Sequence, residues 1–159
     1  MNPCPCGYYG DPVKECRCSS SDVTRYHKRI SGPLLDRIDI FIEVPRVEYE
    51  KLSDSRPGES SEMVRSRVDK ARQIQRERLE GTMMFTNADM TPAEVRLLCN
   101  VEPSAQALLG TAMRQLSLSA RSFHRILKLG RTIADLGGVD LIESSHLAEA
   151  LQYRPRNLI

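Results

Sequence analysis

Four cysteines fall within fifteen residues near the start of the sequence, as Cys4-Pro-Cys6 and Cys16-Arg-Cys18. Thiolates bind Zn2+ tetrahedrally, and four of them from one short segment can close a structural site. The one-residue spacer in each pair is tighter than the usual two to four residues between zinc ligands, with Pro5 shaping the first pair. Two other chemistries are open to the same four thiols. They can stay free or redox-active, or they can form two disulfides, which a reducing compartment disfavours. His27 is a candidate replacement ligand for one cysteine. The fifth, Cys99, lies on an apolar helix face and reads as a core residue.

Two arginines have the type and position for phosphate chemistry. Arg37, in GPLLDRIDI, precedes a strand-like run and would project from the end of a sheet. From there an arginine can reach a phosphate on a neighbouring subunit and stabilise transition-state charge. Arg121 falls in the first turn of a long helix, whose N-terminus itself favours anions. Each has a plainer reading: an ion pair with Asp36 or Asp39 for Arg37, and a surface helix residue for Arg121. Between Arg114 and Arg131 there are five basic residues (Arg114, Arg121, Arg125, Lys128 and Arg131) and no acid. That density suits a polyanion, although a solvated helix face would look the same. Neither GxSxG nor HExxH occurs, and there is no GxxxxGK[ST] phosphate loop. Alone, the chain should not hydrolyse ATP.

The elements that must position these residues differ along the chain. Residues 1–21 are rich in Cys, Pro, Gly and Ser and read as an irregular loop in need of a staple. Asp22 can cap a helix, DVTRYHKRI, that stops at Ser31-Gly32-Pro33. Over 38–44, Ile38, Ile40, Ile42 and Val44 alternate with Asp39, Phe41 and Glu43, which predicts a strand closed by Pro45. A lone strand needs partners, so residues 1–52 read as part of a sheet. Residues 53–62, SDSRPGESSE, read as a linker, and 63–159 as a helical domain. Within it, Val64, Val68, Ala71 and Ile74 mark a helix over 62–80. Thr91-Pro92-Ala93-Glu94 has the pattern of a capped start, and another helix covers 103–116. Ser119 caps the next, with Phe123, Ile126, Leu127, Gly130 and Ile133 inward and Gly137-Gly138 ending it. A last helix runs from Ser144 or Ser145 to about Tyr153. The fold class is therefore mostly α, with an α/β remnant of about one strand plus the Cys-rich loop. No apolar run approaches the roughly 18 residues of a membrane span, and a cytoplasmic location is the default expectation.

Taken together, MNPCPCGYYGDP, CRC, RYHKRISGPLLDRIDIFIEVP and SARSFHRILKLGRTIADL resemble the C-terminal part of magnesium-chelatase-like AAA+ ATPases of the ComM/YifB competence-protein family. The resemblance implies that the Walker A and Walker B segments precede Met1 and that this chain is a fragment inactive on its own. It implies that residues 1–52 end the α/β core and 63–159 form the helical lid. By the same resemblance Asn2 matches sensor 1, Arg37 the arginine finger acting in trans, and Arg121 sensor 2. Cys4, Cys6, Cys16 and Cys18 match a Cys-rich insertion that looks like a zinc site. ATP and Mg2+ are the implied cofactors, a hexameric ring the implied assembly, and DNA the implied partner of a branch-migration motor in natural transformation. The competing expectation is a stand-alone zinc-stapled module that binds nucleic acid through the Arg121–Arg131 helix.

Overall fold

The structure, a computed structural model, describes residues 1–35, 37–47, 53 and 58–154. Among them are seven α-helices: α1 Ser20–His27, α2 Gly32–Leu35, α3 Ser61–Arg78, α4 Pro92–Leu98, α5 Pro103–Gln115, α6 Ala120–Gly137 and α7 Ser144–Gln152. The protein is mostly helical, as the periodicity predicts, and its contacts divide it into two units, Met1–Asp54 and Ser55–Arg154.

The first unit has very little apolar interior. Among its described residues only Cys4 and Val23 are buried hydrophobics. Ser19, not Asp22, caps α1. The Ser19 hydroxyl accepts from the Asp22 N–H at 3.2 Å, and the Asp22 carboxylate returns the contact at helix position three. The strand expected over 38–44 is not formed. The segment has no regular structure, and Ile42 and Val44 are 69% and 85% exposed. Alternation creates a face for burial, but a strand exists only where neighbours accept its backbone hydrogen bonds, and none of the described segments is a strand.

The second unit is built around α6, which packs against α3, α4, α7 and a 3-10 turn at Asn87–Asp89. Ile126, Leu127 and Ala134 on α6 meet Leu147 and Ala150 of α7, Val95 of α4, and Leu109 of α5 in one core. Gly130 lets α7 approach closely, since a side-chain carbon there would stand 2.8 Å from Leu147 Cδ2. The caps follow the sequence. Ser119 accepts from the Ser122 N–H, and Gly138, at φ +69°, closes the helix in the left-handed region. Glu94 accepts from the Thr91 N–H at 2.5 Å. Ser60 caps α3, so the end of the expected linker is already helix start. The start of α5 is tied to the segment before α7 by a single parallel bridge, Val101 to Ile142. The stripe read from α3 is only half used, because Ala71 is buried while Val64 and Val68 are exposed.

A polar cluster sits inside this helical core. Arg131, which the sequence places in a basic surface patch, is 1% exposed and forms an ion pair with Asp135 at 3.0 Å, one helical turn on. Its guanidinium also donates to the carbonyls of Val139 and Asp140. From α3, Arg78 reaches both oxygens of Asp135, at 2.5 and 3.0 Å. Asn87, on the 3-10 turn, donates to Asp135 at 2.7 Å and to Thr132 at 3.1 Å. One carboxylate thus joins three segments. Burial opposes the charge on Asp135, but hydrogen bonds from Arg78 and Asn87, with the Arg131 charge, hold its carboxyl below the ordinary carboxylate value.

Removing the carboxylate leaves Arg131 buried without its counter-charge. Asp135→Ala should therefore cost about 3–5 kcal/mol, read as a lower urea midpoint for loss of helical circular dichroism. A cost under about 1 kcal/mol would show that the cluster is incidental. Because the folded carboxyl titrates below the unfolded one, its contribution is full above the unfolded value near 4 and is lost as pH falls through the folded value. Acid unfolding should accordingly be shallower in Asp135→Asn than in the wild-type chain.

Candidate functional site

The four clustered cysteines are held by a loop folded back on itself. Between the two pairs the chain makes two tight turns, with the Gly7 N–H donating to the Cys4 carbonyl at 3.0 Å and Asp11 N–H to the Tyr8 carbonyl at 3.1 Å. Gly7 and Gly10 take φ of +85° and +79°, which other residues adopt only under strain. Asp11 then accepts the Val13 and Lys14 N–H groups at 2.8 Å each, bending the chain toward Cys16. Lys14 spans the loop, its Nζ donating to the Tyr8 hydroxyl at 3.0 Å and lying 4.1 Å from the ring centre. Arg46 approaches Asp11 at 3.7 Å. Apart from the glycines, this turn chemistry was not singled out in the sequence.

Folding brings all four sulphurs together. Their Sγ atoms lie within 4.8 Å of one another. Cys4 stands 3.3 Å from Cys6 and 3.7 Å from Cys16, and Cys6 stands 3.6 Å from Cys16. None is disulfide-bonded. Four thiolates about 2.3 Å from a central zinc would have sulphurs about 3.8 Å apart. The donor set and spacing thus fit a tetrahedral, thiolate-preferring ion. Backbone N–H groups of Tyr8 and Arg17 hydrogen-bond Cys6 and draw its thiol down to about 6. Cys18 behaves oppositely: the Cys6 N–H favours its thiolate, but burial and the three neighbouring sulphurs push it up to about 12. Two of the thiols are thus held low and two high, so four thiolates together are unfavourable unless a cation neutralises them. His27 is not among this group. Cys99 lies apart in the helical core, its Sγ 3.9 Å from Met90 Sδ.

The other predicted residues divide between the units. Asn2 is exposed two residues before Cys4, its Nδ2 3.9 Å from where a side chain at Gly7 would begin. Arg37 is exposed too, but at a turn following α2 and not at the end of a sheet; its N–H donates to the Leu34 carbonyl at 2.9 Å. Asp36, one of its suggested ion-pair partners, lies outside the described residues. In the second unit Arg121 is exposed in the first turn of α6, as expected. That turn has a support the sequence did not reveal. Arg154 is buried and donates to the Ser122 hydroxyl at 2.5 Å, while Ser122 contacts the capping Ser119 hydroxyl at 3.2 Å. Within the basic run, Lys128 donates to the Ala88 carbonyl at 2.7 Å and Arg131 is internal. Arg114 and Arg121 remain exposed, and Arg125 half-exposed. No helix among the described residues is long and apolar enough to cross a membrane.

Comparison with known proteins accounts for both units. Residues 1–52 match the family described as magnesium chelatase, subunit ChlI, and residues 58–154 match the family described as magnesium chelatase, subunit ChlI C-terminal. The "Competence protein ComM" of Haemophilus influenzae is 43% identical over 155 residues, covering 97% of this chain and 29% of that protein. The "Uncharacterized protein YifB" of Escherichia coli K12 is 39% identical over 155 residues, with the same coverage. An uncharacterized protein of Mycobacterium bovis is 34% identical over 153 residues, covering 96% of this chain and 30% of its own length. The chain thus spans under a third of the curated relatives it matches. Since the C-terminal family match alone takes in more than half of its residues, the chain belongs to the magnesium chelatase ChlI family.

Proposed function

We propose that this chain supplies the C-terminal, nucleotide-responsive part of a magnesium-chelatase-type AAA+ ATPase, in which Asn2 is sensor 1, Arg37 an arginine finger acting in trans and Arg121 sensor 2. The observation that carries this reading is that the two units match, in order, the ChlI and ChlI C-terminal families of magnesium chelatase over residues 1–52 and 58–154. The chemistry of the three residues agrees with it. Each is polar and exposed, and Arg121 adds a cation to the N-terminus of the 18-residue α6, where backbone N–H groups already favour phosphate. Such residues position and stabilise charge. They do no chemistry without a phosphate loop and Mg2+, which in this reading lie in segments outside the chain. The exposed Ile38–Val44 run and the thin interior of the first unit suit completion by further strands better than a free-standing module.

In the same proposal the complete protein binds ATP and Mg2+, assembles into a hexameric ring and works on DNA in the cytoplasm. The ComM relative's designation as a competence protein supports the DNA role, as do the exposed Arg114 and half-exposed Arg125. Cys4, Cys6, Cys16 and Cys18 hold a structural zinc ion that fixes the loop next to Asn2. When bound, the ion supplies charge neutralisation for four thiolates and a tetrahedral cross-link, and no catalytic step.

Two measurements test this. Purified chain should carry about one zinc by elemental analysis, and Cys16→Ser should lose it; metal-free protein with the loop folded would refute the zinc site. For the finger, this chain can replace the matching segment of the Haemophilus influenzae relative. In that chimaera Arg37→Ala should lower ATP turnover by about 10³-fold or more while leaving ATP affinity nearly intact. Loss of binding instead would mark Arg37 as structural.

A further inference from the structure

Three of the four clustered cysteines are half-exposed, and the sulphurs of Cys4, Cys6 and Cys16 stand 3.3 to 3.7 Å apart. A disulfide requires about 2.05 Å, so closing a bond among Cys4, Cys6 and Cys16 needs the sulphurs to approach by less than about 2 Å, and Cys18 lies within 4.8 Å of the rest. We infer that this cluster is a site of reversible thiol oxidation, which a hydroperoxide converts into two disulfides, each joining one of Cys4 and Cys6 to one of Cys16 and Cys18. The inference rests on the zinc reading only for the accompanying release of metal. Oxidation of the thiols stands or falls separately.

The pairing follows from the chain. Cys4 and Cys6 stand only 3.3 Å apart, yet a bond between them would close a small ring containing Pro5, whose fixed φ resists the near-perpendicular torsion a disulfide prefers. Cross-pairs close loops of ten or more residues that contain Gly7 and Gly10 and can adjust. The step balances as follows. One thiolate attacks hydrogen peroxide, the O–O bond breaks, and a sulfenic acid and hydroxide form. A thiolate of the opposite pair then displaces hydroxide from that sulphur and the S–S bond forms. Each disulfide passes two electrons from a thiolate pair to one peroxide. Two peroxides consume four thiolates, and a dication formerly held by them is released. Cys99, buried in the helical core, is left as an internal control.

The experiment uses the whole reduced chain, assayed for zinc, then treated with excess hydrogen peroxide. The expected product has lost four hydrogens from its cysteines, counted apart from any oxygen gained by exposed methionines, keeps one alkylatable thiol at Cys99, and has released its zinc to a chromogenic chelator. Dithiothreitol should return all five thiols. Trypsin, cutting after Lys14, Arg17 and Arg25, separates Cys4 and Cys6 from Cys16 and from Cys18. Cross-pairing then yields one linked assembly of the peptides 1–14, 15–17 and 18–25. An unlinked 1–14 peptide would overturn the pairing. Oxygen fragment-mapped to the cysteines themselves, as sulfinic acid and distinct from methionine sulfoxide at exposed Met1, Met63 or Met83, would overturn the site, as would thiols untouched by peroxide. Chain that carries no zinc but forms the cross-linked disulfides would sink the metal reading and sustain the oxidation site.

Discussion

The helical unit depends on a single carboxylate. Asp135 is buried on α6, and without partners its charge would be strongly destabilising. Arg78 comes to it from the last turn of α3, Asn87 from the 3-10 turn, and Arg131 from its own helix. Each contact satisfies a polar group and also fixes where a segment lies. Arg131 extends the arrangement to the backbone beyond α6 through the carbonyls of Val139 and Asp140. Among the described residues no buried side-chain polar atom lacks a partner. Apolar packing supplies most of the burial here. The carboxylate adds what apolar packing lacks, hydrogen bonds that tie particular positions of α3, α6 and the 3-10 turn to one another.

The first unit solves the same problem with different chemistry. With Cys4 and Val23 as its buried hydrophobics, it cannot rely on a core of this size. Its order comes from local turns, the Asp11 and Lys14 contacts, and four sulphurs drawn to one point. Asn2 stands two residues before Cys4, so whatever fixes the sulphurs also fixes the backbone next to the side chain proposed to sense nucleotide. The helical unit holds Arg121 through caps and packing, independent of thiol chemistry.

What could be read from the sequence follows the range of the interactions. The helices of the second unit were legible because capping residues and apolar period are local; Ser119, Thr91 and Gly138 act where the pattern placed them. The cysteine cluster was legible from spacing alone. The strand over 38–44 was misread because alternation reports a face and not the neighbours a strand requires. Arg131 was misassigned to the surface for a related reason. Its partner Asp135 sits at helical spacing and was available, but Arg78, 57 residues from Asp135, becomes a neighbour only through folding. The support given to Ser122 by Arg154, 32 residues away, was equally out of reach.

The shared carboxylate also constrains how such a sequence can change. Arg78, Asn87 and Arg131 each donate to the same residue, so none can be exchanged for an apolar side chain without leaving the others wrongly matched. Neutral drift at one position is blocked until compensating changes arise at the rest. The four positions should therefore vary as a block among descendants of this chain, and a lineage that escapes the arrangement must pass through a less stable intermediate sequence.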